Sequence, residues 1–302
     1  GLMEIDQMKK EGYDAEFSCA ITAASATVGP IFPPSIPMVI YAMLSGASIG
    51  KLFMGGMVPG VLLAILLMIY VAFISHKRNY PAGVVMSKRE FLRATLQALP
   101  ALFTVVILLG GIYSGICTPT EAGAVASAYA LIISALIYKT LGWKKLWGII
   151  KKSAANTATL ALLCGTSMLF SYIISLEQVP RVVASLVMGI TDNKYIFLFI
   201  VNIVFLLLGC VLDVSTIQLV FVPMVLPLVQ AMGIDLVHFG VVICLNMMIG
   251  LSTPPFGMLL FIVSGLGKTK IKGVIRRFCQ WYYYDRVVVP GYLCTGYYYV
   301  YT

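Results

Sequence analysis

Several stretches of this chain run for about the thickness of a bilayer without one charged side chain, among them 58–75, 94–120, 122–138, 153–176 and 195–212. A helix of about 20 apolar residues spans the hydrocarbon core. It is also one of the few structures that satisfies its own backbone hydrogen bonds there. A water-soluble fold has nowhere to put so much apolar surface. Of the residues, 60% are hydrophobic and 11% charged, with a mean hydropathy of +0.95, whereas soluble domains carry about 25% charged residues. The pattern therefore predicts an all-α, polytopic helical membrane protein.

The formal charge of +9 does not point to nucleic acid, because the basic residues sit in connections between apolar spans, as solvated, lipid-facing loops do. Lys77, Arg78, Lys88, Arg89 and Arg93 fill one connection; Lys139, Lys144, Lys145, Lys151 and Lys152 fill another. Two helices meeting near 117–120 separate these loops, so both lie on one face, and the positive-inside rule makes that face cytoplasmic. The expected partner is the lipid bilayer. Within 143–152, Trp143 and Trp147 share a helical face largely free of lysine, which predicts an arm helix lying in the interface plane. The seven cysteines show no paired spacing and read as small buried hydrophobes rather than metal ligands or disulfides. Residues 1–16 are polar, without a starting Met or a signal peptide, and the chain reads as a fragment.

An internal repeat organises the sequence. Gly12, Asp14, Gly29, Pro33 and Pro34 recur at one constant spacing as Gly233, Asp235, Gly250, Pro254 and Pro255, and after a slip of two positions Ser45-Gly46 recurs as Ser264-Gly265. Helix cannot run through either Pro-Pro pair, because proline removes an N–H and disfavours helix in the residue before it. Each flanking arm is about fifteen residues or fewer, short for a full crossing. The expectation is two re-entrant helical hairpins in an inverted repeat, with tips inside the protein. Broken backbone at membrane depth needs such cover, and paired interrupted helices mark transport sites. The competing reading is a pair of Pro-kinked spans. The resulting division is 1–51, first hairpin; 52–153, membrane helices with the arm helix; 154–212, membrane helices; 213–267, second-repeat helix and second hairpin; and 268–302, an aberrant or disordered tail.

Two carboxylates adjoin apolar spans. Asp213 follows the run 197–212 and precedes Ser215 and Thr216; Glu121 follows Cys117-Thr118-Pro119-Thr120. Intramembrane carboxylates default to functional sites, but either residue could instead cap a helix. A sodium ion takes carboxylate, hydroxyl and freed carbonyl oxygens, which unwound tips supply. Ser25, Thr27 and Gly29 at the first tip and Gly250, Ser252 and Thr253 at the second provide that mixture, with Asp213 as the expected sodium ligand. Enzyme chemistry finds no support: the two histidines, His76 and His238, form neither an HExxH zinc site nor a partner for a nucleophilic serine. No cofactor is expected.

Three segments, ATVGPIFPPSIPMVIYAMLSGASIGKLFMGGMVPG, GIYSGICTPTEAGAVASAYAL and LDVSTIQLVFVPMVLPLVQAMGIDLVHFGVVICLNMMIGLSTPPFGMLLFIVSG, resemble the large membrane subunit (DctM-like) of tripartite ATP-independent periplasmic, or TRAP, transporters. The resemblance covers most of 12–267. It implies a sodium-coupled importer of C4-dicarboxylates, sialic acid or other organic acids. It implies an elevator-type moving domain, a small DctQ-like membrane subunit, a periplasmic solute-binding protein and a bacterial inner-membrane location. By motif, the first tip falls on Gly29, Pro30, Pro33, Pro34 and Ser35, and the second on Gly250, Thr253, Pro254, Pro255 and Gly257. The family's Leu-Asp-Pro-Thr falls on Leu212 and Asp213 with Ser215 or Thr216, Val214 standing where the family has Pro. The family's first-half Ser-Gly-Ser motif is expected before Gly1. Past Gly267 the resemblance ends, which suggests a frameshift or assembly error. The alternative is a sodium-coupled divalent-anion symporter without a binding protein. From other classes, a passive channel or an intramembrane enzyme is the remaining choice.

Overall fold

The computed structural model describes the chain except for residues 81–86, 181, 183–184, 186–188, 190–192, 254–256 and 285–302; at 2, 171, 175 and 279–284 it describes backbone alone. Twelve α-helices and no strand occur among the described residues. The chain divides into two compact units, residues 1–82 with 167–302, and residues 83–166.

The smaller unit holds α5 (Lys88–Tyr113), α6 (Pro119–Leu136) and the first part of α7 (Trp143–Leu176). Helices α5 and α6 form an antiparallel pair. Tyr129 donates to the Pro100 carbonyl (3.1 Å) and Tyr138 to the Gln97 carbonyl (2.6 Å). Helix α5 has no buried residue, and Phe91, Leu96, Leu102, Phe103 and Val106 are all exposed. So much apolar surface marks a lipid-facing helix. Helix α7 is a single helix of 34 residues, about 50 Å long at 1.5 Å per residue. The basic 143–152 stretch is therefore its first turns, continuous with the apolar run, and not a separate arm helix. Good helix formers fill the junction, so nothing breaks the backbone there. Lys151 lies over the Trp147 ring at 5.8 Å.

The larger unit contains α1 (Leu2–Lys10), α2 (Ala15–Val28), α3 (Ile36–Ser45), α4 (Ile49–Lys77), α8 (Lys194–Val211), α9 (Val214–Ala231), α10 (Leu236–Ser252), α11 (Met258–Gly267) and α12 (Ile271–Tyr284). Among the described residues six helices, α4 to α9, are long and apolar enough to cross a membrane.

The repeat is visible in backbone detail. Helix α1 ends at Gly12 (φ 90°) with Gly12 N–H bonded to Lys9 O (3.1 Å) and Tyr13 N–H to Met8 O (3.0 Å). Helix α9 ends at Gly233 (φ 65°) with Gly233 N–H on Gln230 O (3.0 Å) and Ile234 N–H on Val229 O (3.1 Å). Both are Schellman ends, which need a left-handed residue that glycine adopts without strain. Two residues on, Asp14 and Asp235 occupy the N-cap positions of α2 and α10. The second arms, α3 and α11, both end in left-handed caps, Gly46 and Lys268. The helix ends thus pair Gly46 with Lys268, and not with Gly265 as the sequence slip suggested.

Each pair is interrupted where the prolines cluster. Helix α2 stops at Val28 and α3 starts at Ile36; α10 stops at Ser252 and α11 starts at Met258. Pro254 and Pro255 lie outside the described residues. The arms have 14, 10, 17 and 10 residues, so the first arm of the second pair exceeds the expected length. At about 26 Å it nearly matches the hydrocarbon thickness.

The two pairs pack into each other. Ile5, Cys19, Ala20, Ala23 and Ala24 from α1 and α2 form one core cluster with Leu260, Val263, Val274 and Phe278 from α11 and α12. Alanine on α2 permits close approach, and Lys9 Nζ donates to the terminal Gly267 carbonyl of α11 (2.6 Å). Tyr41 of α3 donates to Leu236 O at the start of α10 (2.7 Å). Part of the stretch expected as an aberrant or disordered tail is a packed helix: α12 buries Val274 and Phe278 completely or nearly so. Its apolar positions recur at helical spacing and had a partner surface that sequence could not display.

At the base of α2 a cluster of charges joins three segments. The Asp14 carboxylate meets Arg78 Nη1 (3.3 Å) and Arg277 Nη2 (3.4 Å), and Arg277 Nε meets Glu16 (3.7 Å). Tyr80 donates to Asp14 (3.0 Å) while accepting from Arg78 (3.2 Å). Burial, opposed by Arg78 and reinforced by Asp14, raises the Tyr80 phenol above its ordinary pKa, so it stays a donor. The repeat partner Asp235 instead caps its helix, accepting His238 N–H at 2.8 Å. Because these groups are partly exposed, Asp14→Asn should cost only about 1 kcal/mol in low salt, and the difference should fade in about 1 M KCl. Melting temperatures of the two proteins across a KCl series check this. A loss that salt leaves unchanged would show that packing, not charge, holds the cluster.

Candidate functional site

At the first break, Ile31 N–H and Phe32 N–H both bond to Val28 O (3.1 and 3.0 Å), turning the chain away from α2. Ser35 N-caps α3, accepting Met38 N–H (3.2 Å) and donating to the Pro30 carbonyl. Pro33 is buried and Pro34 exposed, with a cis peptide between them. Gly56 and Gly60 of α4 receive this turn. A Cβ on Gly56 would sit 2.6 Å from Ile31 O and 2.5 Å from Met38 Cε, and one on Gly60 3.3 Å from Phe32. These glycines let α4 lie directly against the break.

Ser25 is exposed and donates to Thr22 O (3.1 Å); Thr27 is buried and donates to Ala24 O (2.7 Å). At the second break Ser252, buried, donates to Ile249 O (3.0 Å), and Thr253 donates to the same carbonyl (2.6 Å). All four hydroxyl protons are thus used within their own helices, which leaves oxygen lone pairs to face a ligand. Gly29 is exposed, and a Cβ there would meet only Ala26 O, at an ordinary 3.9 Å. Gly257 takes φ 49° beside Thr253 O.

Asp213 is exposed and is the N-cap of α9: its carboxylate accepts Ser215 N–H (3.0 Å) and its carbonyl accepts Ile217 N–H (3.0 Å). Ser215 and Thr216 are half-buried. Glu121 is likewise part of a capping box, accepting Thr118 N–H and Oγ1–H, both at 2.8 Å, at the start of α6.

The end of α8, which leads into Asp213, crosses α10 where it nears the second break. A Cβ on Gly250 would lie 2.7 Å from Leu206 O and 2.8 Å from Gly209 Cα. Two helix backbones touch there, which requires glycine on both. The Asp213 turn and the second tip are therefore neighbours. Among the described residues, no hydrogen bond or ion pair joins Ser25, Thr27, Gly29 or Pro30 to either of them.

A search for charge missed the uncharged polar residues in apolar runs. Asn202 of α8 and Asn246 of α10 bond to each other, and Gln218 of α9 donates to Cys244 Sγ of α10 (3.3 Å). Asn or Gln inside an otherwise apolar helix was the available signal. Cys19, Cys117, Cys164, Cys210 and Cys244 are free thiols. Among the described residues, no group of three His, Cys, Asp or Glu side chains converges.

Membrane-length helices combined with two interlocked, interrupted helix pairs define a polytopic helical membrane protein. The chain belongs to the family described as tripartite ATP-independent periplasmic transporter, DctM component, whose model matches residues 1–291. That match runs past Gly267, where the resemblance had been expected to stop, and agrees with the packing of α12. The chain is 42% identical over 267 residues to the sialic acid TRAP transporter large permease protein SiaM of Vibrio cholerae, covering 88% of this chain and 62% of that one. To the C4-dicarboxylate TRAP transporter large permease protein DctM of Pseudomonas aeruginosa it is 37% identical over 281 residues, 93% and 66% of the two chains. To the 2,3-diketo-L-gulonate TRAP transporter large permease protein YiaN of Escherichia coli it is 33% identical over 272 residues, 90% and 64%. It spans just under two thirds of each relative. It is a multi-pass protein of the bacterial inner membrane, from a transport family and not an enzymatic one.

Proposed function

We propose that the full-length protein imports a small organic acid by secondary active transport coupled to sodium, fed by a periplasmic solute-binding protein and assembled with a small membrane subunit. The observation that carries this reading is the interlocking of two interrupted helix pairs with matching end geometry, α2 against α11 and α3 against the start of α10. In inverted-repeat transporters such pairs enclose the site, as re-entrant hairpins whose tips meet near mid-membrane. The named relatives carry sialic acid, C4-dicarboxylates and 2,3-diketo-L-gulonate, all organic acids. The coupling ion is placed at Asp213 with Ser215 or Thr216 and the oxygens of the second tip, Gly250, Ser252 and Thr253; Ser25, Thr27, Gly29 and Pro30 serve the first tip. The N-terminus of α9 carries about half a positive charge, which the full negative charge of Asp213 outweighs. The basic connections face the cytoplasm.

Uptake of labelled organic acids into proteoliposomes, with the full-length protein, its small subunit and its binding protein, tests this. Uptake should require both an inward sodium gradient and the binding protein. Uptake at full rate without the binding protein would overturn the tripartite reading, and uptake indifferent to sodium would overturn the coupling.

A further inference from the structure

We infer that the side-chain carbonyl of Gln218 is a further oxygen ligand for the cation proposed at the start of α9, set one helical turn inside the Asp213–Ser215 end. The inference rests on that reading of the site and adds a residue to it.

Gln218 is completely buried, between Ile217 and Leu219, which are themselves buried. Its Nε2 donates to Cys244 Sγ at 3.3 Å, and its Oε1 has no hydrogen-bond partner. Reversing the amide does not remove the difficulty: a thiol could then donate to Oε1, but the two N–H donors would be left unmet. A buried amide oxygen without a partner is destabilising, and membrane surroundings offer no compensating solvent. The apolar neighbours explain no polar residue here, and leucine would fill the position without an unmet atom.

Geometry indicates where the partner belongs. Helical side chains lean toward the helix N-terminus, over the preceding turn. Ser215 lies three residues earlier, on the same face, half-buried, with its backbone N–H already held by Asp213. The contact of Gly209 with Gly250 brings the second tip to the same end of α9. A cation held by Asp213, Ser215 and tip carbonyls would give Gln218 Oε1 the electropositive partner it lacks. With one Nε2 N–H on Cys244, the atom that lacks any partner is an acceptor, which suits a cation.

The test uses the full-length protein purified in detergent, with thermal stability titrated against NaCl while choline chloride holds ionic strength constant. Wild type should be stabilised by sodium. Gln218→Leu should need at least about tenfold more sodium for half the shift, the loss expected for one contact to a charged group. Without sodium, Gln218→Leu should melt at the wild-type temperature or higher, because the orphan atom is gone. Gln218→Glu keeps an oxygen at the position and should keep the sodium response; Gln218→Met replaces Leu if Leu lowers the yield. A wild-type sodium midpoint in the Leu and Met variants would overturn the inference and leave the coupling reading standing. Weakened binding of the organic acid with sodium binding unchanged would also overturn it, by placing the amide N–H groups on the anion. A wild-type protein unresponsive to sodium would remove the coupling reading and this inference together.

Discussion

Asp213→Asn is expected to leave the protein folded and to lower sodium-dependent uptake by at least about tenfold. Asparagine is as good an N-cap as aspartate, so the bond to Ser215 N–H at 3.0 Å survives the substitution and α9 keeps its start. Only the charge is deleted. A purely structural cap therefore predicts near-normal uptake. In the ion site, removing the one carboxylate leaves neutral oxygens facing the positive end of α9, and one lost charge-assisted contact already amounts to about tenfold in affinity. Initial uptake rates against sodium concentration in proteoliposomes separate the two roles. An unchanged sodium response in a folded Asp213→Asn protein would end the assignment. The observed cap does not compete with ion binding, since a carboxylate has acceptor capacity beyond one N–H.

Gly250→Ala is expected to destabilise the larger unit by about 1–3 kcal/mol or more, the range for forcing an added group into a packed contact. The atoms it would meet, Leu206 O at 2.7 Å and Gly209 Cα at 2.8 Å, are backbone. No rotamer change can relieve the clash, and α8 must move away from α10. Gly265→Ala in α11 is the control, because a Cβ there meets nothing within 4 Å and alanine is the better helix former. Melting temperatures in detergent should fall clearly for the first and stay level or rise for the second. Equal tolerance of both would mean that the close crossing does not hold α8 and α10 together.

Legibility differed by kind of signal. Long uncharged runs became α4, α5, α6, α7 and α8 nearly as written, because apolar length in lipid leaves little choice but helix. The proline clusters marked the first interruption, since Pro30, Pro33 and Pro34 deny donors and restrict their predecessors. The Gly12 and Gly233 match was readable for a related reason: only a residue tolerant of positive φ ends a helix that way. The arm helix at 143–152 was misjudged because amphipathic pattern says which face is apolar but not where a continuous helix stops. Residues 271–284 were misjudged because a short basic segment looks unlike a span until the surface of α2 and α11 is there to receive Val274 and Phe278.

The sequence alone determined the class of fold, the places where helix must break, and the candidate ligands Asp213, Ser215, Thr216 and the two sets of tip residues. Each of these follows from what a residue can do by itself: span hydrocarbon, lack a donor, adopt positive φ, or carry a charge. The tertiary structure decided everything that depends on two residues far apart in the chain. It brought Gly209 against Gly250, buried Gln218 with one atom unmet, and made Asp14 the hub of an ionic cluster while its repeat partner Asp235 caps a helix. Close approach, desolvation and ion pairing are properties of pairs, and the pairs are made only when α8, α9 and α10 and the segments around α2 pack together.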